Sequence, residues 1–342
     1  MIHITPERLR EVVSRVFIGA GAPEAGARQV ASSLVENDLA GHTSHGVLRV
    51  GWYVSCIESG SIDPHGQITT VRETATTAVL DGGRNFGNVV AREAMARAVN
   101  KARAHDLGMV AIRNNGHTGR MGEYVVQAAQ EGFMGMVFGA GSRAAVAPYL
   151  GVGRVFNTNP IAWGVPADQH PPVFMDFATS VVAQGKIQAA IDKGVKIPDG
   201  WLLDAEGNPT NDPNDQRNGG VMLPFGKHKG YCLSFLVELL SAGLTGGRSG
   251  MLPDYAPDYT MVLMAVNIAA FQPLDEFRRL VDEQVAATKA SRRAPGVEEI
   301  LVPGEPEWYA REKNLRDGLY LPDAAWQRIV EAGARHGVAV AL

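Results

Sequence analysis

The sequence contains little cysteine: only Cys56 and Cys232 occur among 342 residues. Each lies in an apolar stretch with helical periodicity, and two isolated thiols cannot build the disulfide framework that is typical of small secreted domains. The sequence therefore predicts a protein of a reducing compartment, and we expect a cytoplasmic location.

Long apolar runs and an excess of either charge are also missing. Glu7 and Arg8 stand close to the start, and Glu238 interrupts the longest apolar stretch, so we expect neither a signal peptide nor a membrane span. The 32 Lys and Arg residues nearly balance the 36 Asp and Glu residues, and they form no basic stripe. These features predict a small-molecule substrate as the partner, and neither nucleic acid nor a membrane.

Glycine is abundant, and many of the 39 glycines stand where periodic segments end. Start signals at Pro6, Pro23 and Ser44 predict three helices near the beginning of the chain. Short β-rich runs then alternate with helical segments, among them a helix from Asn88 to His105 and a strand from Met261 to Ile268, which is typical of an α/β domain. Residues 198–220 predict a surface loop or hairpin. After Pro273 we expect a charged amphipathic helix, a loop at "LVPGEPEW" and two further helices, and we expect these last two to pack on the N-terminal helices.

A dinucleotide-binding fingerprint occurs at Gly139, Gly141 and Ala144, directly after a predicted strand. In a Rossmann fold this loop opens a helix, but Pro148 and Gly151 leave no room for a helix of useful length. The acidic residue expected at the end of the next strand is also missing. We therefore interpret the segment as a plain turn after a strand, and predict that the fold is not Rossmann.

The segment "AGHTSHGVLRVGWYVSC" carries the strongest candidate site. If it forms one helix from Ser44, then His45, Arg49, Trp52 and Cys56 share a face, which we expect to line a cleft because solvated faces rarely carry Trp and Cys together. Arginine can bind a substrate carboxylate through two charge-assisted hydrogen bonds, while a neighbouring histidine gives a proton to a carbonyl oxygen. The alternative is an exposed His–Arg pair near a helix start, with the serine as a cap.

A second candidate site is the loop "IRNNGHTGRMGEY", which follows a predicted strand and opens a helix. Its glycines, Gly116, Gly119 and Gly122, place backbone N–H groups beside His117, as in an anion or cofactor site. The alternative is a strand–helix turn with a capping histidine. Loops at the ends of elements carry function disproportionately, so we favour the site.

Two further segments are candidates for binding a cofactor. Lys227, His228 and Lys229 precede a predicted helix, and a positive helix end with two lysines favours a phosphate; an ordinary solvated turn is the alternative. Asp176 ends an apolar strand, where it can accept hydrogen bonds from ribose hydroxyls or cap a helix after it.

The histidines also raise the question of a metal. His42 and His45 form an H-x-x-H pair, but no third or fourth ligand follows at metal spacing, so we predict no metal site. A His-dependent metal hydrolase or lyase that uses these two residues and His117 is the alternative from another functional class. It predicts loss of activity with chelators and no cofactor binding.

Taken together, these segments resemble the second, non-Rossmann malate/L-lactate dehydrogenase family, which includes sulfolactate and ureidoglycolate dehydrogenases and cyclic-imine reductases. The motifs "AGHTSHGVLR", "NNGHTGRMGEY", "NTNPIAWGVP", "DFATS", "AQGKI", "HKGY" and "PGEPE" follow the family order along nearly the whole chain. The resemblance implies an α/β fold with a non-Rossmann mixed sheet in a cofactor-binding domain at 71–289. It also implies a helical domain built from both chain ends, 1–70 plus 290–342, and a homodimer. The implied activity is NAD(P)-dependent hydride transfer between nicotinamide and a small 2-oxo or 2-hydroxy carboxylate.

The resemblance also implies roles for individual residues. His45 corresponds to the proton donor, with Ser44 beside it, Arg49 to the carboxylate anchor, and His117 to a substrate-side or acid/base histidine. The residues implied in cofactor binding are His45, Gly119, Arg120, Met121, Phe174, Met175, Asp176, Phe177, Ala178, His228, Lys229, Gly304, Glu305, Pro306 and Glu307.

The choice of cofactor and substrate stays open at this point. Asp176 favours NAD over NADP if it faces the adenosine ribose. The imine-reducing branch of the family carries an acid where this chain has Lys186, so the resemblance implies an oxo acid substrate, with reduction of a cyclic imine such as piperideine- or pyrroline-2-carboxylate as the alternative.

Overall fold

The computed structural model describes residues 1–141, 143–247, 252 and 259–342. The helices are α1 Pro6–Gly19, α2 Glu24–Leu39, α3 Val50–Glu58, α4 Gly87–His105, α5 Gly122–Gln130, α6 Gln184–Lys193, α7 His228–Glu238, α8 Leu274–Lys289, α9 Glu305–Asp317 and α10 Asp323–Ala334. The strands are β1 Ile2–Ile4, β2 Thr69–Glu73, β3 Thr77–Asp81, β4 Leu107–Arg113, β5 Phe133–Ala140, β6 Ile161–Val165, β7 Val173–Phe177, β8 Leu202–Leu203, β9 Pro209–Thr210, β10 Val221–Met222, β11 Thr260–Asn267 and β12 Leu319–Leu321.

Seven of these strands form the main sheet, in the order β2-β3-β4-β11-β5-β6-β7. β3 and β4 run parallel, whereas the other neighbours pair antiparallel. The predicted class, an α/β fold with a non-Rossmann mixed sheet, is confirmed. The described residues between β5 and β6 form no helix, so the loop with the dinucleotide fingerprint lacks the helix that a Rossmann site needs.

The central strands are buried because a helix packs very closely on the sheet. Leu263 and Ala265 on β11 and Val110 on β4 are fully buried in one core with Ala94 and Met95 of α4. Gly108 lies so close to the backbone of α4 that a Cβ atom there would overlap the helix. Small residues on both elements, such as Gly108 and Ala98, allow this approach.

Both ends of the chain share a second core. Phe17 and Leu34 from the first helices pack in it with Trp326 and Ile329 of α10, which confirms that the last helices return to the N-terminal unit. β1 also pairs antiparallel with β12. The division into a helical domain at 1–70 plus 290–342 and an α/β domain is a proposal that this shared core supports.

The prediction that the third helix starts at Ser44 is wrong. The chain forms 3₁₀ turns at Thr43–His45 and Val47–Arg49 before α3 begins at Val50. Gly46 interrupts the helical path with an extended backbone, at φ −87° and ψ −153°, and the N–H group of Val47 donates to the Asp38 carboxylate at 2.8 Å. A buried side-chain acceptor thus replaces the first helical hydrogen bond.

Two other segments refine the predictions. The segment at 198–220 contains the antiparallel pair β8 and β9, so the predicted hairpin is confirmed, and β10 extends it to a three-stranded sheet. The "PGEPE" segment is not wholly a loop, because α9 begins at Glu305 after Gly304, which has φ +94°.

Within the described ranges, no helix is long and apolar enough to cross a membrane.

Candidate active site

A cleft of about 1090 Å³ brings the sequence motifs together. Its walls come from the turn before α3, the loop before α5, the end of β5, the segment after β7 and the start of α6. The predicted site residues that line it are Ser44, His45, Arg49, His117, Gly119, Arg120, Met121, Asp176, Phe177 and Ala178.

The other predicted cofactor residues lie outside this lining. Phe174 and Met175 precede it on β7, His228 and Lys229 are exposed at the start of α7, and Gly304, Glu305, Pro306 and Glu307 form the start of α9. Two of these groups still approach the cleft. Oε1 of Glu307 lies 3.0 Å from Nε2 of His42, a lining residue. Gly230 in α7 packs closely on Thr179, which follows the lining residue Ala178: a Cβ atom added to this glycine would lie 2.7 Å from the Thr179 carbonyl oxygen.

His45 is held on one side by its neighbour and on the other by a second histidine. Its Nδ1 lies 3.2 Å from the hydroxyl of Ser44, so the serine binds the imidazole instead of capping a helix. The rings of His45 and His117 stack with centroids 5.8 Å apart and planes 8° from parallel. Burial, and next the charge of Arg49, lowers the pKa of His45 from 6.5 to about 4. His45 is therefore neutral in the free protein near pH 7.

The hydrogen bonds of His117 determine its tautomer. Its Nδ1 accepts from the backbone N–H of Gly119 at 3.3 Å and lies 2.8 Å from the hydroxyl of the buried Tyr53. Because Nδ1 faces an N–H donor, we place the single proton of the neutral ring on Nε2. Burial, with the neighbouring His45, lowers the pKa of His117 well below its usual value. His117 is thus a neutral hydrogen-bond donor.

Arg49 is held by its backbone surroundings and by an aromatic ring. Its Nε donates to the carbonyl oxygen of Ser44 at 2.7 Å, and its guanidinium carbon lies 5.3 Å from the centroid of the Trp52 ring. The first contact uses one of the five guanidinium N–H groups, and both contacts fix the plane of the fork. An arginine held in this way can bind a carboxylate with both oxygens.

The loop before α5 carries a second arginine. Nε of Arg120 donates to Oδ1 of Asn37 at 3.1 Å, and the guanidinium lies 5.5 Å from the centroid of the Phe174 ring. One terminal nitrogen is buried and has no hydrogen-bond partner among the described residues. A buried donor without a partner is costly, so an anionic ligand in the cleft is the partner that its chemistry suits.

Asp176 makes a different contact from the two that the sequence predicted for it. Its Oδ2 accepts from the backbone N–H of Gly122, the first residue of α5, at 2.7 Å. It therefore caps this earlier helix from across the sheet, and not a helix after it. Burial raises the pKa of its carboxyl group. Because the carboxylate has this structural role without any ribose hydroxyl, its presence is a weaker argument for NAD over NADP.

Known proteins share this architecture. The sequence profile of the malate/L-lactate dehydrogenase family matches residues 4–330. The chain belongs to the malate/L-lactate dehydrogenase family. It is 38% identical to a malate dehydrogenase of Pyrococcus abyssi, over 98% of this chain and 96% of that protein. An L-sulfolactate dehydrogenase of Methanothermobacter thermautotrophicus is 35% identical, over 96% of each chain.

Solved structures of the malate/L-lactate dehydrogenase fold agree with this assignment. The malate dehydrogenase of Entamoeba histolytica superposes with a TM-score of 0.95 at 29% identity, covering 100% of this chain and 99% of the other. A Δ1-piperideine-2-carboxylate reductase of Pseudomonas syringae superposes with a TM-score of 0.84 at 28% identity, covering 97% of this chain and 100% of the other. Both a malate and a cyclic-imine enzyme therefore share the fold.

The cleft wall also includes residues that were not predicted from the sequence to belong to the site. Gly139, Gly141 and Ala144 line the cleft, so the segment that was predicted to be a turn after a strand also forms part of the cleft wall, without the helix of a Rossmann site. Their position after a central strand, where open sheets bind ligands, was the available signal. Charged side chains were missed as well, because distant segments supply them: Arg143, Arg154 and Arg217.

The described residues include no group of three or more His, Cys, Asp and Glu that could hold a metal ion. His42, one member of the H-x-x-H pair, contacts Glu307 of α9, whereas His45 contacts Ser44. The two histidines thus have different partners, and the contacts of neither suggest a shared ligand.

Proposed function

We propose that this protein is an NAD(P)-dependent oxidoreductase that transfers a hydride between nicotinamide and a small 2-oxo or 2-hydroxy carboxylate. The observation that carries the proposal is the convergence of His45, His117 and Arg49 in one cleft of a chain from a dehydrogenase family. A carbonyl next to a carboxylate needs one group that anchors the acid and one that handles the proton, and these side chains offer both. Oxidation of NADH or NADPH by 2-oxo acids tests the proposal.

The cleft fits a dinucleotide in size and charge. Its volume of about 1090 Å³ exceeds what a three-carbon acid fills, and its lining includes Arg143, Lys186 and the buried donor of Arg120. A bound nicotinamide would supply or accept the hydride. We assign binding of the whole dinucleotide to the following residues: His45, Gly119, Arg120, Met121, Phe174, Met175, Asp176, Phe177, Ala178, His228, Lys229, Gly304, Glu305, Pro306 and Glu307.

In this proposal, His45 is the general acid–base residue. Arg49 binds the substrate carboxylate and orients the reacting carbon. In oxidation His45 receives the hydroxyl proton, and in reduction its protonated ring gives a proton to the carbonyl oxygen. His117 keeps its proton on Nε2, so it donates a hydrogen bond to that oxygen without needing to become charged. Ser44 fixes the orientation of the His45 ring through the contact at Nδ1.

The low pKa of His45 predicts the pH profile in the oxidative direction. Neutral His45 accepts the hydroxyl proton, and its pKa of about 4 keeps it neutral down to that pH. We expect kcat/KM for the 2-hydroxy acid to stay level between pH 7 and about 5, and to fall about tenfold per unit below about 4 as the ring becomes protonated. Rates measured in buffers of constant ionic strength check this. A fall that begins near 6.5, the ordinary histidine value, contradicts it.

The basic start of α7 predicts a separate effect on the cofactor. Lys229 lies in the first turn of a helix whose N-terminus packs beside the segment after β7. We expect Lys229→Ala to weaken binding of the dinucleotide by about 1.5–3 kcal/mol, the range for hydrogen bonds to charged groups. Lys313→Ala, on the exposed part of α9, is the matched control. Fluorescence titration with NADH and NADPH measures both, and equal affinities in the two variants argue against the placement.

Reduction of a cyclic imine is the second candidate, because a piperideine-2-carboxylate reductase shares the fold. Lys186 lines the cleft at the start of α6, and its positive charge disfavours a protonated imine and favours an anionic oxo acid. We therefore place the oxo acid first.

We further propose a homodimer and a cytoplasmic location. Helix α7 exposes Phe235 and Leu236, and Leu239 just beyond it is 53% exposed. Such a contiguous apolar face is typical of a surface that another chain covers, which supports a second copy. The two cysteines, Cys56 and Cys232, are unpaired, as is usual in a reducing compartment.

A further inference from the structure

Asn37 is a fully buried polar residue near the end of α2. Its Nδ2 donates to the backbone carbonyl oxygen of His45 at 3.0 Å, and its Oδ1 accepts from Nε of Arg120 at 3.1 Å. A carbonyl oxygen can only accept and a guanidinium can only donate, so these two partners fix the orientation of the amide. One side chain thus connects the turn of the acid/base histidine to the loop that carries the second arginine.

The backbone and the next residue strengthen this connection. The N–H group of His42 donates to the Asn37 carbonyl oxygen at 2.7 Å, and the Asp38 carboxylate accepts from Val47 at 2.8 Å. Gly46 lies against that carboxylate with no space for a Cβ atom. The end of α2 therefore holds the turn on both sides of the glycine.

We propose that Asn37 is a positioning residue that couples His45 to Arg120, so that the proton-handling group and the cofactor-side arginine keep one fixed separation. This inference rests on the proposed function. His45 ends a 3₁₀ turn of only three residues, Thr43–His45, so side-chain contacts such as that of Asn37 help to fix its position. A misplacement of about 1 Å in a reacting group can cost about 10²-fold in rate.

Two substitutions separate the two contacts of Asn37. Asn37→Asp keeps an acceptor for Arg120 but removes the donor to the His45 carbonyl. We expect kcat to fall about 10- to 100-fold while the dissociation constant of the dinucleotide stays within about threefold. Asn37→Leu has a similar size and removes both contacts, so it should lower kcat and also weaken dinucleotide binding by roughly tenfold.

Glu36→Gln is the matched control on the same helix. The Glu36 carboxylate accepts from Arg10 at 2.6 Å and from Arg311 at 3.0 Å, away from the cleft lining. We expect this variant to lower the melting temperature without changing kcat or dinucleotide affinity. Wild-type kcat in folded Asn37→Asp, or an equal loss of kcat in Glu36→Gln, overturns the positioning role.

Hydrogen–deuterium exchange gives a measurement that needs no turnover. In the ligand-free protein, Asn37→Asp should speed the exchange of backbone amides at residues 42–50, and Glu36→Gln should leave them unchanged. If the wild-type protein reduces no 2-oxo acid but this exchange pattern appears, the proposed function fails while the coupling stands. Unchanged exchange at 42–50 in Asn37→Asp overturns the coupling itself.

Discussion

Replacing His45 by Asn is expected to lower kcat by roughly 10²–10⁴-fold, the usual contribution of general acid–base catalysis. The loss applies to both directions, because the neutral ring accepts the hydroxyl proton in oxidation and its protonated form returns a proton in reduction of the 2-oxo acid. Asparagine is close in size and polar, so the turn held by Asn37 and Asp38 should persist. Because Arg49 still anchors the carboxylate, KM for the 2-oxo acid should change little. Steady-state kinetics with saturating cofactor measure this separation of kcat from KM.

His65→Asn is a suitable control for this experiment. His65 lies outside the cleft lining, and its Nε2 is 2.9 Å from the carbonyl oxygen of Gly21, so its replacement should leave the kinetics unchanged. In the oxidative direction, the His45 variant should also lose the fall in kcat/KM for the 2-hydroxy acid below about pH 4. Turnover near the wild-type rate, with an unaltered profile, moves the acid/base role to His117.

Replacing Arg49 by Lys is expected to lower kcat/KM for the 2-oxo acid by roughly 10- to 100-fold. Lysine keeps the charge but lacks the planar fork, the Nε contact to Ser44 and the stacking on Trp52. A hydrogen bond to a charged group contributes about 1.5–3 kcal/mol, which corresponds to that range. Because orientation of the carbonyl depends on the anchor, kcat should fall together with the affinity for the acid.

Arg335→Lys controls for the loss of a guanidinium as such. Nε of Arg335 pairs with Glu58 at the exposed surface, at 2.9 Å, where exposed ion pairs contribute little. We expect wild-type kinetics in this variant. A KM for the 2-oxo acid that is unchanged in Arg49→Lys means that another cation, such as Arg143 or Lys186, anchors the carboxylate.

Much of the fold could be predicted because local patterns specify it. Caps, apolar periodicity and glycines place α1, α4 and β11 within a few residues of the observed bounds. β1 and β12 were missed, since strands of three residues carry no local periodicity and form only when the chain ends meet. The start of the third helix was predicted too early. The N–H group of Val47 donates to the buried Asp38 carboxylate, and helix propensity gives no information on such a contact between separate segments.

The candidate site was predictable where one motif supplies several groups. His45 and Arg49 share the cleft as the sequence predicts, although 3₁₀ turns and not one helix carry them. The place of Gly141 in the cleft wall was missed because the Rossmann fingerprint was tested only for its own fold. Asn37 carries no motif, and its contacts with His45 and Arg120 arise from packing between segments far apart in sequence.

The most direct test of the central claim is an assay of NADH and NADPH oxidation with a panel of 2-oxo acids and a cyclic imine. Wild-type protein and His45→Asn are compared, with and without a chelator. We predict that at least one 2-oxo acid is reduced by the wild-type protein, that the chelator has no effect, and that His45→Asn lowers the rate by roughly 10²–10⁴-fold. Reduction of the imine alone, or dinucleotide-independent activity that the chelator abolishes, would contradict the account.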